Sequence, residues 1–152
     1  MDKKDIIHQE ADELLKKIIS TYELSVDEDG GAFHVVIKAD EEAPTVIGRH
    51  GETIRALQKI LEVILYKKFA EPVDILVNVN DYREKQKERL EGIAESIAQR
   101  VKTDHHEAPL RSFSAYERKV IHEFIATHHP DLVSYSEGEG KERYLIIKPK
   151  AE

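Results

Sequence analysis

Val46-Ile47-Gly48-Arg49-His50-Gly51-Glu52-Thr53-Ile54 decides how the rest of this chain is read. Two glycines stand three apart, with an arginine and a histidine between them, an aliphatic pair before them and a periodic segment after them. Glycine takes up turn geometry that other residues resist and lets a ligand approach the main chain. The N–H groups that open a helix, with its dipole, favour an anion such as phosphate. The expectation is that Gly48 and Gly51 leave bare main chain at a helix mouth. An unpaired polynucleotide could lie there, with Arg49 and His50 flanking its phosphates. Two glycines at this spacing are common by chance, so the flanking pattern carries the argument.

Downstream, Ile54, Leu57, Leu61, Ile64 and Leu65 form the buried stripe of a helix running to about Phe69. Arg55, Lys59 and Lys67 fall largely away from that stripe, so Arg55 and Lys59 can extend a phosphate track. Upstream, Ala43–Ile47 suits one helical turn with Pro44 near its start. Tyr22–Val26 and Phe33–Lys38 read as strands around an Asp27-Glu28-Asp29-Gly30-Gly31 turn, after an amphipathic helix over residues 3–20. Pro72 breaks the chain before a strand at Val73–Val79. Ile47 and apolar residues of a neighbouring strand would form a floor for bases. Residues 1–80 are expected to be one domain.

Residues 81–102 read as one helix, roughly 30 Å long. Its first half is almost wholly charged, and Leu90, Ile93, Ala94, Ile97, Ala98 and Val101 then give it an apolar stripe. This predicts a connector leading into a second domain over residues 81–152. There, Pro109 to Phe113 suits a short strand. Ser114 with Glu117 makes a capping-box pattern for a helix to about His128. Leu132–Ser136 and Arg143–Lys148 read as a hairpin around Glu137-Gly138-Glu139-Gly140. On a helical wheel, Tyr116, Val120 and Phe124 centre the apolar face, which makes Tyr116 a core residue. Arg118, His122 and His129 cluster on the other side. Arg118 and His122 are one turn apart and can engage the same phosphate or base.

The chain has 152 residues, 40% of them hydrophobic, no cysteine and a net charge of −7. That composition supports a packed core and excludes disulfides and thiolate metal sites. The total charge argues against a generic polyanion binder, but the distribution is uneven: residues 1–44 sum to −7, residues 45–69 to +3 and residues 108–130 to +1. The two islands that escape the acidic background hold the two motifs. His122, His128 and His129 add positive potential to the second island when protonated. No stretch is apolar enough to span a bilayer, and the N-terminus lacks a signal-peptide layout, so a cytoplasmic protein without direct membrane insertion is expected. No His-Glu-x-x-His, phosphate-loop or nucleophile-elbow motif is present, and adjacent histidines do not point the same way on regular structure. The expectation is no catalysis, no metal and no cofactor.

Ile47-Gly48-Arg49-His50-Gly51-Glu52-Thr53-Ile54-Arg55-Ala56-Leu57-Gln58 resembles the KH region of the Jag family, also called SpoIIIJ-associated proteins. So do Asp81-Tyr82-Arg83, the run from Ser114 to His122, and Ser136-Glu137-Gly138-Glu139-Gly140 with Arg143. The second half is similar to the R-three-H domain, named for an Arg and a His separated by three residues. The resemblance covers nearly the whole chain in the right order. It implies an α+β protein: a type II KH domain, with a three-stranded sheet and helices on one face, joined by a long helix to a small α+β R-three-H domain. It implies binding of single-stranded RNA, or other single-stranded nucleic acid such as ssDNA, without catalysis. Family members are bacterial cytoplasmic proteins linked to RNA regulation and cell-envelope growth. A small KH-only partner protein or a homodimer is implied as a further assembly. The site residues expected are Ile47, Gly48, Arg49, His50, Gly51, Arg55 and Lys59, with Arg118, Lys119 and His122 gripping a second stretch of strand. Full-length members usually carry an additional N-terminal Jag domain, whereas this sequence begins at the first expected KH helix. Ser112 and Phe113 stand where many relatives have proline and methionine. Lys119 replaces a more common arginine, keeping charge but losing the planar fork. The competing expectation is a protein-interaction scaffold in which nucleic acid is secondary.

Overall fold

The computed structural model describes residues 1–151, which divide into two units, one from Met1 to Arg83 and one from Glu84 onward. The first unit runs α1 (Lys3–Leu15), β1 (Glu23–Asp29), β2 (Ala32–Lys38), α2 (Ala43–Ile47), a single 3-10 turn at Arg49–Gly51, α3 (Glu52–Phe69) and β3 (Ile75–Val79). Helix α4 (Tyr82–Asp104) starts at its end. The sheet has the order β1-β2-β3, with β1 antiparallel and β3 parallel to β2. Alternation along β2 buries Phe33, Val35 and Ile37 on one face, and β3 buries Ile75, Val77 and Val79. Ile7, Ala11 and Leu15 of α1 and Ile54, Leu57, Leu61 and Leu65 of α3 close over that face to make one core.

Helix α1 opens on a complete capping box between Asp2 and Asp5. It stops at Leu15, five residues before the end expected from periodicity. Ile18-Ile19-Ser20-Thr21 is a run of β-branched and hydroxyl residues that disfavours helix, and the Glu42 carboxylate accepts from the Ser20 and Thr21 amides at 3.0 and 3.1 Å. After β3, Asn80 and Asp81 have φ of 49° and 57°, and the Asn80 side chain exchanges both hydrogen bonds with the Ala39 main chain. That exchange turns the chain towards α4.

The second unit contains most of α4, then β4 (Ala108–Leu110), α5 (Ala115–His128), β5 (Leu132–Glu137), a 3-10 turn at Gly140–Glu142 and β6 (Tyr144–Pro149). Its sheet has the order β4-β6-β5 and is antiparallel throughout, so β5 is an edge strand. Leu90, Ala94, Ala98 and Val101 of α4 and Ile121 and Ile125 of α5 pack on the face that carries Ala108, Leu110, Leu132, Leu145 and Ile147. No described helix is long and apolar enough to cross a membrane.

The face that α5 buries differs from the wheel expectation. Glu117, Ile121 and Ile125 are inside, and Val120 and Phe124 pack against the core half-buried, as the wheel places them, whereas Tyr116 is 41% exposed. Glu117 is the cause. It completes the capping box with Ser114, and its other oxygen accepts from Gln86 Nε2 at 2.7 Å and Arg89 Nη2 at 3.3 Å. Satisfying a buried carboxylate rotates α5 so that Ile121 and Ile125 face the core. Tyr116 moves out to the rim.

Candidate nucleic-acid interface

In the first unit, Ile47 ends α2 half-buried against the core, and Arg49 is exposed at the tip of the turn that follows. Gly48 has φ 75° and ψ 173°, a region essentially closed to residues with a side chain. A Cβ there would lie 2.7 Å from the Thr53 nitrogen and would collide with Thr53 Oγ1. His50 and Gly51 are left-handed, with φ of 56° and 76°. A Cβ on Gly51 would meet the Tyr82 ring at 2.9 Å. This corrects the physical reason given for the two glycines. Their bare sides face the protein's own Thr53 and Tyr82, so glycine is required by internal crowding and by φ, and the space it leaves is not ligand space.

The loop also uses its own amides. The Gly51 N–H donates to the Gly48 carbonyl at 3.2 Å, and the Glu52 N–H donates to the Arg49 carbonyl. Arg55 folds back, donating from Nη1 to the His50 carbonyl at 2.7 Å. Lys59 lies one turn along α3, exposed, beside Tyr66 and Val63. Below the loop, Arg83 donates to the Val77 carbonyl at 2.7 Å and to Gln58 Oε1 at 2.8 Å, tying the start of α4 to β3 and α3.

In the second unit, the rotation of α5 places Arg118 and His122 at the border of its buried face, against edge strand β5. An open cleft there is lined by Ala115, Arg118, Lys119, His122, Ser134, Tyr135, Ser136 and Arg143. His122 Nδ1 sits 2.6 Å from Ser134 Oγ, which fixes the ring and directs Nε2 away from the strand. Arg118 Nη1 donates to the Phe113 carbonyl at 2.8 Å and reaches the Arg143 carbonyl at 3.4 Å. Part of its donor fork therefore holds the cleft together. Arg143 in turn donates from Nη1 to the Gly138 carbonyl at 2.8 Å, bracing the β5–β6 hairpin. Lys119 is exposed, with Glu123 at 4.0 Å.

His129 does not join this group. It is 4% exposed at the C-terminus of α5, with Nε2 2.6 Å from Glu95 Oε2. Hydrogen bonds from Gln99 and then from His129 hold the Glu95 carboxyl below its usual range. Wheel position places His129 beside Arg118, but Pro130 ends the helix there and the side chain turns into the core. His128 stacks on Phe124 with ring centroids 4.3 Å apart. Ser134 and Arg143 are the residues that sequence reasoning leaves without a role. The available signal is the Ser134/Ser136 alternation, which puts polar groups on the same strand face as Leu132.

The R-three-H domain profile matches residues 88–149. The second unit is an R-three-H domain. Over 99% of its length the chain is 28% identical to the RNA-binding protein KhpB of Clostridium symbiosum, of which it spans 69%. It is 31% identical over 82% of its length to KhpB of Streptococcus pneumoniae serotype 2 (strain D39), of which it spans 38%. It is also 31% identical over 72% of its length to KhpB of Bacillus subtilis (strain 168), of which it spans 53%. The chain belongs to the Jag family, to which these KhpB proteins also belong. The Arg118–His122 cleft lies inside the R-three-H match, and the Gly48–Gly51 turn lies outside it.

Proposed function

We propose that this protein binds single-stranded nucleic acid, RNA in the first instance, and does so without catalysis. The observation that carries the proposal is the cleft of the R-three-H domain. Arg118, Lys119, His122 and Arg143 converge there on an open groove, with His122 oriented by Ser134. The names of the KhpB relatives support RNA over DNA. In this reading residues 1–80 are a type II KH domain and residues 81–152 an R-three-H domain with its leading helix. The order α-β-β-α-α-β, with β2 parallel to β3, supports the first assignment.

The turn at Gly48–Gly51 then presents the Arg49 side chain and the start of α3 to phosphates, with Lys59 one turn further along. Gly48 and Gly51 set the shape of that turn from inside. Arg55 braces it through His50. A role in RNA regulation tied to cell-envelope growth, and assembly with a small KH-only protein or a second copy, follow from the family likeness.

The test is titration of labelled single-stranded RNA, single-stranded DNA and duplex, followed by fluorescence anisotropy. Arg49→Ala with Lys59→Ala, and separately Lys119→Ala with His122→Ala, remove exposed side chains and leave the arginine braces intact. Each pair should weaken RNA binding about tenfold and flatten its salt dependence. Unchanged affinity in both pairs would reject the assignment.

A scaffold reading has one observation in its favour. Ile60, Val63 and Tyr66 of α3 are 48%, 59% and 56% exposed. Retention of a bound protein after nuclease treatment, with no RNA affinity, would favour it.

A further inference from the structure

The sheet of the R-three-H domain has a second face, which none of that domain's described helices covers. Ser134 bonds to His122 on α5 and Leu132 lies in the core, so Val133 and Tyr135 point the other way. Register puts Tyr144, Ile146 and Lys148 of β6 on this same face. Three side-chain contacts agree. Lys148 Nζ lies 5.2 Å from the Tyr135 ring centroid, Arg111 lies over the Tyr144 ring at 4.1 Å, and the Tyr144 hydroxyl donates to Glu137 at 3.1 Å. Two half-buried aromatic rings therefore each carry a cation, and they flank Ile146, which is 5% exposed at the middle of that face.

Resting on the nucleic-acid reading above, we infer that this face is a second subsite of the R-three-H domain, where bases of a single strand stack on Tyr135 and on the Arg111–Tyr144 pair. Arg111 and Lys148 supply the positive charge. Aromatic rings and guanidinium planes accept any base, since every base has a π-face. Cations beside them meet the phosphates between successive bases. Glu137 stands on the same face, where its carboxylate accepts from the Tyr144 hydroxyl.

Continuity with the cleft is the second argument. Ser134, Tyr135 and Ser136 all border the cleft, and by strand alternation the Tyr135 side chain stands on the opposite face of β5 from the two serines. Because β5 is the edge strand, a polynucleotide leaving Arg118 and His122 has only this one strand to cross. The width of a strand is about 4.8 Å, less than one extended nucleotide. The cleft then orients the strand through its phosphates, and the sheet face holds its bases.

Two variants test this, each made in the full chain and checked for wild-type far-UV circular dichroism. Tyr135→Leu keeps apolar cover on the sheet and leaves charge unchanged. It should weaken binding of a ten-nucleotide single-stranded RNA by about fivefold or more with the same salt slope. It should also abolish the quenching of a 2-aminopurine base placed in that RNA. Arg111→Ala with Lys148→Ala should weaken binding and lower the salt slope by about two; this pair decides the matter if Tyr135→Leu misfolds. If Lys119→Ala with His122→Ala weakens binding while both sheet-face variants bind as wild type, the second subsite is wrong and the R-three-H reading stands. If wild type binds no single strand, both fall. A variant that loses a bound protein but keeps its RNA affinity would also overturn the subsite.

Discussion

Gly48→Ala should destabilise the first unit by roughly 2–6 kcal/mol. The backbone supplies one part. With φ 75° and ψ 173°, an alanine would sit where residues with a Cβ cost of order 1–3 kcal/mol. Crowding supplies the rest. The new methyl would lie 2.7 Å from the Thr53 nitrogen and 2.9 Å from its Cβ, both on the first turn of α3. Overpacking of that kind costs about 1–3 kcal/mol. The assay is urea unfolding followed by far-UV circular dichroism, with the loss appearing in the transition that carries the first unit. Gly30→Ala provides the control, since Gly30 has φ 59° and nothing within 4 Å of its Cβ position. It should show backbone strain alone, about 1–2 kcal/mol. Adding Thr53→Ala to Gly48→Ala removes the hydroxyl but leaves the nitrogen and Cβ, so rescue should be partial. If Gly48→Ala cost no more than Gly30→Ala, the claim that this glycine serves internal packing would be refuted.

Two further perturbations address other parts of the fold. Glu117→Ala should destabilise the R-three-H domain by about 2–4 kcal/mol, because it removes a helix cap and strands the Gln86 and Arg89 donors; a loss under about 0.5 kcal/mol in its unfolding transition would contradict the network. The pKa of the Tyr22 hydroxyl is pushed up to about 12, by burial first and then by its 2.6 Å hydrogen bond to Asp12. A raised tyrosine stabilises the fold fully below the ordinary value of 10.0 and loses that contribution as pH rises towards 12. Tyr22→Phe should cost about 1–2 kcal/mol at neutral pH and remove part of the decline between these pH values, and an unchanged alkaline profile would count against it.

Local pattern was enough to read most elements of both units. The Ser114–Glu117 capping box, the helical turn at Ala43–Ile47 and the α3 stripe are short-range features, and the physics that forms them acts within a few residues. The departures arise where a distant partner intervenes. Glu42 ends α1 early by capturing the Ser20 and Thr21 amides. Gln86 and Arg89 rotate α5 through Glu117, which exposes Tyr116 and carries Arg118 and His122 to the β5 edge.

The sequence by itself determined the alternation of helices and strands, the two cationic islands and the family to which the chain belongs. Periodicity, caps and ordered motifs are properties of neighbours along the chain. Only the tertiary structure decided that His129 lies inside against Glu95, that Ser134 orients His122, and that Gly48 and Gly51 are shaped by Thr53 and Tyr82. Those outcomes depend on contacts between residues far apart in sequence, or on which way a side chain turns at a helix end. Burial and close packing settle both.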